Sequence, residues 1–360
     1  MLLLLFSVVL FVWLLNTKPV EASGTIYIRA DGSVDPPEAP ISTLDNITYI
    51  FTADIYDSIV VERDDIVVDG AGYKVEGPAG EHGICMDVSN VTIKNMEIKV
   101  FDYGIYLYGC SDIRIYGNNI TDNGKGIYLE GSQNTISGNN ITNGIDLLMG
   151  SSSNNVYENI IRGRVYLDGW SNNIYGNIIT GSIGIILEGA SSNNIYGNSI
   201  TASDYGLSLI ASSSNNNIYE NNITNAQFGI SATMTPDNNI FKNKITNNSY
   251  GIRLFDGSNN FNIYGNNITN NGKGISYGYW IDGSFIWGNN ITNNGYGIDL
   301  SGTYGCQSII VFGNKITNNT LGIRLDATHW SGDVHSSDNY IFENIITDNG
   351  EGVFAWECRI

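Results

Sequence analysis

The stretch IRIYGNNITDNGKGIYL at residues 113–129 contains the unit from which most of this 360-residue chain is built. Its phrase IYGNNIT recurs about every 22 residues, in eleven copies. The copies begin at Ile115, Ile136, Val156, Ile174, Ile195, Ile218, Ile240, Ile263, Ile286, Val311 and Ile341. A fixed period of this length indicates a solenoid, in which each unit buries its apolar face against its neighbours.

Within one unit, apolar residues alternate with polar ones, as Ile113 and Ile115 do, which is typical of a half-buried strand. Gly117 ends that strand, and a second motif, GIxL, starts another alternation at 126–129. No segment has the length and periodicity of a connecting helix. Coils of this kind stack about 4.8 Å apart. The sequence therefore predicts an all-β, single-stranded parallel β-helix of roughly a dozen coils.

The fourth residue of the phrase is asparagine in every copy, whereas the next residue varies freely. These asparagines are Asn118, Asn139, Asn159, Asn177, Asn198, Asn221, Asn243, Asn266, Asn289, Asn314 and Asn344. Because an amide both donates and accepts hydrogen bonds, stacked copies can bond one another along the rod. We interpret this column as a structural ladder and the variable position beside it as facing water.

The second residue of the phrase is aromatic in ten copies of eleven, and Ser137 is the exception. The ten are Tyr116, Tyr157, Tyr175, Tyr196, Tyr219, Phe241, Tyr264, Trp287, Phe312 and Phe342. If the alternation holds, these rings form a stack on the outside of the coil.

The N-terminal residues predict export. The apolar run Leu2–Leu15 is too short to span a membrane, and Val20-Glu21-Ala22 resembles a signal-peptidase site. We predict a signal peptide at 1–22, with an uncleaved anchor as the alternative, and no transmembrane span in the mature chain. Residues 23–62 lack the phrase and are predicted to cap the first coil, and 63–360 form the repeat domain.

Charge and cysteine content narrow the class of partner. The formal net charge of −19 repels nucleic acid, so nucleic-acid binding is not predicted. The four cysteines are widely spaced and form no metal-binding motif.

The repeats, together with IVVDGAGYKVEG at 66–77, resemble the right-handed parallel β-helix of the pectin-lyase-like superfamily, in particular the NosD-type repeat of exported surface proteins. The resemblance implies a right-handed coil over residues 60–357. That superfamily includes lyases, hydrolases, epimerases, adhesins and scaffolds, so the resemblance implies no single activity. The NosD name implies copper, and a lyase would imply calcium.

Polysaccharide-cleaving enzymes need carboxylates clustered on one face. Alignment of the GIxL strands places four candidate catalytic carboxylates near one edge, with Arg162 and Arg164 beside them. The four carboxylates are Glu130, Asp146, Asp168 and Glu188. A second charged group follows at Arg253, Asp299, Arg324 and Asp326. The alternative is that both groups only keep the outer face soluble and form ion pairs between neighbouring coils.

Two insertions in the repeat are candidate binding loops. One holds His329, Asp333 and His335, which are possible ligands for a transition metal. The other holds Tyr277, Tyr279 and Trp280, whose rings could stack on sugars if they are exposed, or could instead fold inward.

Five sequons fall in the water-facing column of the phrase and are candidate glycosylation sites: Asn119, Asn140, Asn222, Asn267 and Asn290. The sequence as a whole favours a secreted or cell-surface β-helix that binds carbohydrate or envelope components without catalysis. A periplasmic-type compartment is also compatible with it. A polysaccharide lyase or glycoside hydrolase is the first alternative, and NosD-like copper handling is the second.

Overall fold

In a computed structural model of the chain, residues 24–301, 306–326 and 338–356 are described. Within them every regular element is a β-strand, and the strands of successive coils pair in parallel and in register. The predicted parallel β-helix is thereby confirmed, with about 12 turns. Each typical coil contributes one strand to each of three columns. No helix in these ranges is long and apolar enough to cross a membrane. The proposed signal peptide at 1–22 lies outside the described residues.

The first column contains the IYG part of the phrase. Its parallel strands are Thr48–Phe51, Val67–Asp69, Thr92–Lys94, Arg114–Tyr116, Thr135–Ser137, Asn155–Tyr157, Asn173–Tyr175, Asn194–Tyr196, Asn217–Tyr219, Asn239–Phe241, Asn262–Tyr264, Phe285–Trp287, Ile310–Phe312 and Tyr340–Phe342.

The second column contains the NIT part. Its strands are Lys74–Glu76, Glu97–Lys99, Asn119–Ile120, Asn140–Thr142, Ile160–Arg162, Asn222–Thr224, Lys244–Thr246, Asn267–Thr269, Asn290–Thr292, Lys315–Thr317 and Ile345–Thr347.

The third column contains the GIxL motif. Its strands are Ile26–Ile28, Ile59–Val61, His82–Met86, Tyr103–Ser111, Lys125–Ser132, Ile145–Leu147, Val165–Leu167, Phe228–Thr233, Tyr250–Phe255, Lys273–Tyr277, Tyr296–Leu300, Leu321–Asp326 and Glu351–Trp356. Two long strands, Ile178–Glu188 and Ser199–Ile210, run through the second and third columns without a break.

Four short strands lie outside this pattern. Near the N-terminal end, Val34–Asp35 pairs antiparallel with Ile26–Ile28, and Ile41–Ser42 pairs antiparallel with Thr48–Phe51. Farther along, Ile281–Asp282 and Cys306–Gln307 form a parallel pair of their own. Antiparallel pairing at the first coil covers edges that would otherwise be open.

The interior is filled by stacked aliphatic side chains. The central residues of the strands, such as Ile174, Ile223 and Leu209, are completely buried. The glycine of the GIxL motif is required by the closeness of the coils. A Cβ atom at Gly251 would lie 2.5 Å from the carbonyl oxygen of Gly274 in the next coil. Only glycine lets the chain turn inward at this point.

The buried asparagines of the phrase bond along the rod. In each step the backbone N–H and the Nδ2 of one residue donate to the Oδ1 of the next; for Asn139 and Asn159 both distances are 3.0 Å. The Nδ2 of Asn139 also donates to the carbonyl oxygen of Ile115, at 2.9 Å. Each amide therefore satisfies backbone groups at a turn that is shielded from water.

Two further buried asparagine ladders occur at the other turns, and the sequence did not predict them. One precedes the first column and contains Asn134, Asn154, Asn172, Asn193, Asn216 and Asn238. The other precedes the third column and contains Asn248, Asn271, Asn294 and Asn319. The first of these ladders thus serves the coils up to Asn238, and the second serves the coils from Asn248 onward.

The predicted outward aromatic stack is confirmed in the first column. From Tyr157 to Tyr264 successive ring centroids are 4.8–4.9 Å apart and nearly parallel. The stack continues through Trp287 and Phe312 to Phe342 at 4.6–6.1 Å. The spacing equals the distance between coils, so the stack follows directly from the register of the strands.

Candidate functional site

The side chains that point outward from the third column differ from coil to coil, unlike those of the first column. We call the outer side of this column, from His82 to Asp326, the third-column face. Three outward positions exist on each strand: the residue before the glycine of GIxL, the variable residue, and the residue after the leucine. The predicted catalytic carboxylates and the second charged group all lie on this face.

At its N-terminal end, the third-column face has a cluster of four rings. The imidazole of His82 stacks on Tyr106 at 4.4 Å, and Tyr106 stacks on Tyr128 at 4.6 Å. Tyr103 contacts each of these rings edge-on. Burial raises the pKa of Tyr128 to about 12, so this phenol stays protonated at neutral pH.

The four predicted catalytic carboxylates are not brought into one cluster. Glu130, Asp168 and Glu188 share the position after the leucine, but the coil with Leu148 separates Glu130 from Asp168. Asp146 occupies the variable position instead, in register with Tyr128 and Tyr166, so its predicted place beside the other three is corrected.

Asp146 belongs to an ion-pair group. Its carboxylate lies 2.9 Å from the Nζ of Lys125 and 3.8 Å from the Nε of Arg164. Arg162, by contrast, lies in the second column and donates to the Oδ1 of Asn140. The carboxylate of Asp146 thus pairs with cations from two neighbouring coils, which is the pairing across the outer face that the sequence offered as the alternative to catalysis.

Asp168 and Glu188 are neighbours on successive coils, and each has its own contacts. Burial, followed by the charge of Glu188, raises the pKa of Asp168 above its usual range. The hydroxyl of Tyr166 donates to Glu188 at 3.0 Å. A carboxyl group with a raised pKa beside a second carboxyl group is a feature of acid–base sites.

The C-terminal half of the face contains a cleft of about 160 Å³, which we call the Arg253 cleft. Its walls include Tyr250, Arg253, Phe255, Lys273, Tyr279 and Ser301. The guanidinium of Arg253 lies 4.4 Å from the ring centre of Phe255 and 5.0 Å from that of Phe228. No carboxylate of the described residues forms an ion pair with Arg253, although cation–π contacts hold it in place.

Lys273 is fixed by a buried acid. Its Nζ is 2.5 Å from the Oδ2 of Asp299, whose side chain is almost completely buried and also accepts from the hydroxyl of Ser301. The ammonium lies 5.5 Å from the ring centre of Tyr250 and 5.4 Å from that of Tyr296. The Arg253 cleft therefore carries one balanced ion pair and one cation for which the described ranges supply no acidic partner.

The prediction that the ring of Tyr277 is available to stack on a sugar is wrong. Tyr277 is buried because its strand places it in register with Leu254, an inward position of GIxL. It cannot offer a ring face to a ligand in solution. Tyr279 lines the Arg253 cleft, and Trp280 is 58% exposed with a φ of 51°. A left-handed backbone at a bulky residue is strained, and such strain concentrates at ligand sites.

The sequence analysis missed the residue that precedes the glycine of GIxL. In the middle coils this position is Tyr205, Phe228, Tyr250, Lys273 and Tyr296, all on the third-column face. Rings of the first three stack at 5.0–5.2 Å. The signal was present in the sequence, since an aromatic residue or lysine stands before each of these glycines.

The five sequon asparagines lie on the outer side of the second column, away from the Arg253 cleft. Asn222 and Asn267 are exposed, whereas Asn119, Asn140 and Asn290 are half-buried. The amide of Asn140 donates to Asn119 at 2.6 Å, and that of Asn290 donates to Asn267 at 2.9 Å.

The described residues do not fit copper. They contain no group of three or more histidine, cysteine, aspartate or glutamate side chains that could hold a metal ion. Burial raises the pKa of Cys110 to about 11, so this thiol stays protonated and is a poor ligand. The predicted metal ligands His329, Asp333 and His335 lie outside the described residues.

Two family models match the chain. Residues 80–228 match the family described as periplasmic copper-binding protein (NosD), and residues 163–307 match the right-handed β-helix region. Together the two matches span residues 80–307. No functionally curated protein matches the chain.

Among solved structures, the Dettilon tailspike protein has a TM-score of 0.49 and 14% identity, over 83% of this chain and 62% of the tailspike chain. A periplasmic alginate epimerase, AlgG, has a TM-score of 0.48 and 14% identity, over 85% and 80%. The mannuronan C-5 epimerase AlgE4 A-module of Azotobacter vinelandii has a TM-score of 0.43 and 13% identity, over 84% and 89%. The chain thus contains a NosD-type region at residues 80–228 and a right-handed β-helix region at residues 163–307, and the observed parallel coil agrees with both matches.

Proposed function

We propose that the protein is an extracytoplasmic β-helix that binds polysaccharide in the Arg253 cleft, without cleaving it. The observation that carries the proposal is the arginine itself. Arg253 is held against Phe228 and Phe255, in a cleft with hydroxyl groups, and forms no ion pair with a described carboxylate. In a protein with a net charge of −19, a cation kept without an acidic partner favours an anionic ligand.

The other walls of the cleft suit a sugar. Aromatic side chains provide apolar surface for the C–H faces of a sugar ring, and the hydroxyl oxygens of Ser301 and Tyr279 can accept hydrogen bonds from its hydroxyl groups. Trp280, which follows Tyr279 in the chain, is exposed. An extracytoplasmic location is supported by the apolar N-terminal run and by the periplasmic description of the NosD family.

The proposal is tested by calorimetric titration of the protein with oligogalacturonate as an acidic probe. We expect saturable binding that weakens about tenfold or more in Arg253→Ala. The matched control is Arg114→Ala, which removes an exposed arginine from the first column. No binding by the wild-type protein to this or any other glycan probe, or an equal loss in both variants, would show that the cleft is not a polysaccharide site.

A second candidate function, glycoside hydrolysis, is favoured by one observation. Asp168 has a raised pKa beside Glu188, and hydrolases use two carboxyl groups of which one is protonated. Incubation with neutral and acidic glycans, assayed for new reducing ends, tests this candidate. Activity that disappears in both Asp168→Asn and Glu188→Gln would establish hydrolysis and overturn the non-catalytic part of the proposal.

A further inference from the structure

A second depression lies on the opposite side of the aromatic file from the Arg253 cleft. The aromatic file consists of Tyr205, Phe228 and Tyr250, whose rings stack at 5.0–5.2 Å. The second depression measures about 590 Å³ and lies at the turn between the second and third columns. Its lining includes Ser203, Asn225, Gln227, Asn247, Ser249 and Asn270, so we call it the amide groove.

The amide groove carries no charge and no aromatic ring among its lining residues. Gln227, Asn247 and Asn270 are exposed, and their side-chain amides form no hydrogen bond within the described part of the chain. Asn225, Asn247 and Asn270 stand at the same turn of successive coils, each with a left-handed φ between 57° and 67°. Their amides therefore recur along the groove at the coil spacing of about 4.8 Å.

Unpaired amides of this kind recognise neutral polar groups. An amide donates to and accepts from hydroxyl and acetamido groups, whereas it can only donate to a carboxylate and carries no charge that balances it. The Arg253 cleft has the opposite character, because Arg253 presents a cationic group against aromatic walls and the charge of Lys273 is already balanced by Asp299. The two depressions thus differ in the charge of the ligand that each suits.

The two depressions meet along one edge. Ser249 lines the amide groove and the next residue, Tyr250, lines the Arg253 cleft; Gly272 and Lys273 are related in the same way. A ligand that fills both must cross the aromatic file at these two coils. Successive sugar units on that ligand then experience a neutral site on one side and a cationic site on the other.

We infer that the ligand is a heteropolysaccharide in which a neutral, hydroxyl- or acetamido-bearing sugar is linked to an acidic sugar. The neutral unit binds in the amide groove, and the acidic group of its neighbour binds Arg253 in the cleft. This inference rests on the proposed function, since it names the class of polysaccharide that the same face takes. A homopolymer of acidic units would place a carboxylate in the amide groove, where no cation of the lining balances it.

The test compares three oligosaccharides of equal length by calorimetry. Hyaluronan fragments alternate N-acetylglucosamine with glucuronate, oligogalacturonate is acidic at every unit, and chitin fragments are neutral throughout. We expect hyaluronan fragments to bind about tenfold more tightly than either homopolymer. Comparable affinity for oligogalacturonate, or tighter binding of the chitin fragment, would overturn the inference.

A pair of variants separates this inference from the proposed function. Gln227→Ala combined with Asn247→Ala is expected to weaken hyaluronan binding about tenfold and to change oligogalacturonate binding by less than about twofold. The control, Asn222→Ala, removes an exposed amide from the second column in the same region. If oligogalacturonate binds through Arg253 but the double variant behaves as wild type with both acidic probes, the proposed function stands and the inference fails. If none of the three probes binds, both fail.

Discussion

The outer sides of the first and third columns are made by the same coils and yet differ in kind. On the first column, nearly every coil repeats one ring, so that Tyr175, Tyr196 and Tyr219 stack at 4.9 Å. On the third column the variable position of GIxL changes from Asp146 to Tyr166 to Ile186 in three coils. The same ring can repeat on the first column because each coil stacks on its neighbour in the same way. A ligand has different groups along its length, and only the irregular column can match them.

The largest effect is expected where repetition is strictest, in the buried ladder. Asn221 donates to Ile195 at 2.8 Å and to Asn243 at 3.0 Å, and its Oδ1 accepts two bonds from Asn198. Asn221→Ala leaves buried backbone groups without partners, so we expect the free energy of unfolding to fall by about 2–4 kcal/mol. Urea denaturation followed by far-ultraviolet circular dichroism measures the change.

The control for the ladder is the next residue along the chain. Asn222 is exposed, and Asn222→Ala is expected to change the free energy of unfolding by less than about 0.5 kcal/mol. Equal losses for Asn221 and Asn222 would mean that the buried amides contribute nothing beyond their neighbours in the strand.

A crossed pair of ring deletions sharpens the contrast between the columns. Tyr196 has one stacked ring on each side at 4.9 Å, so Tyr196→Ala is expected to lower the free energy of unfolding by about 1–3 kcal/mol. Its binding of oligogalacturonate should remain unchanged. Tyr250→Ala removes a wall of the Arg253 cleft and is expected to weaken that binding about tenfold.

Denaturation and calorimetry on both ring variants give four measurements. If the first column is structural and the third column binds the ligand, Tyr196→Ala should lose stability but not affinity, and Tyr250→Ala should lose affinity. A loss of affinity in Tyr196→Ala equal to that in Tyr250→Ala would contradict it.

The coil was predictable because its determinants occur once per repeat at a fixed phase. Ile174 and Ile195 occupy equivalent positions in their coils, so the phrase alone gives their register, and the same holds for the ladder of the phrase. The ladder through Asn154 and Asn172 was equally predictable, because each member stands two residues before the start of its phrase, as Asn154 does before Val156. It was missed because the phrase was compared only from its first residue onward.

The site was less predictable because it depends on how a side chain departs from the repeat. Tyr277 stands in a loop-like aromatic segment, but register with Leu254 turns it into the core. Lys273 is an ordinary surface residue in sequence, and Arg253 stands out there only as one member of the second charged group. Their roles emerge only when neighbouring coils supply Phe228 and the buried Asp299. Such pairings join residues more than 20 positions apart that share no local motif.

The smallest expected effect is the change in the free energy of unfolding caused by Asp168→Asn. The sign of this change tells whether Asp168 is a destabilised carboxylate of the third-column face or only a charge that keeps the face soluble. Burial and the charge of Glu188 raise the pKa of Asp168 in the folded state, so the ionised form destabilises the fold. That destabilisation is present at neutral pH and disappears as pH falls through the raised pKa. Asp168→Asn is therefore expected to be more stable than wild type at pH 7, by about 0.5 kcal/mol, and to lose this advantage towards pH 4.

Denaturation of wild type and Asp168→Asn at several pH values measures this difference directly, because other carboxylates contribute equally to both proteins. Asp112→Asn is the control, since Asp112 is an exposed turn residue with a left-handed φ that asparagine also adopts. The difference for Asp168→Asn should shrink in Glu188→Gln, because the neighbouring charge is removed. An advantage that grows as pH falls would mean that Asp168 is stabilised as a carboxylate, and the acid–base pair on the third-column face would then be lost.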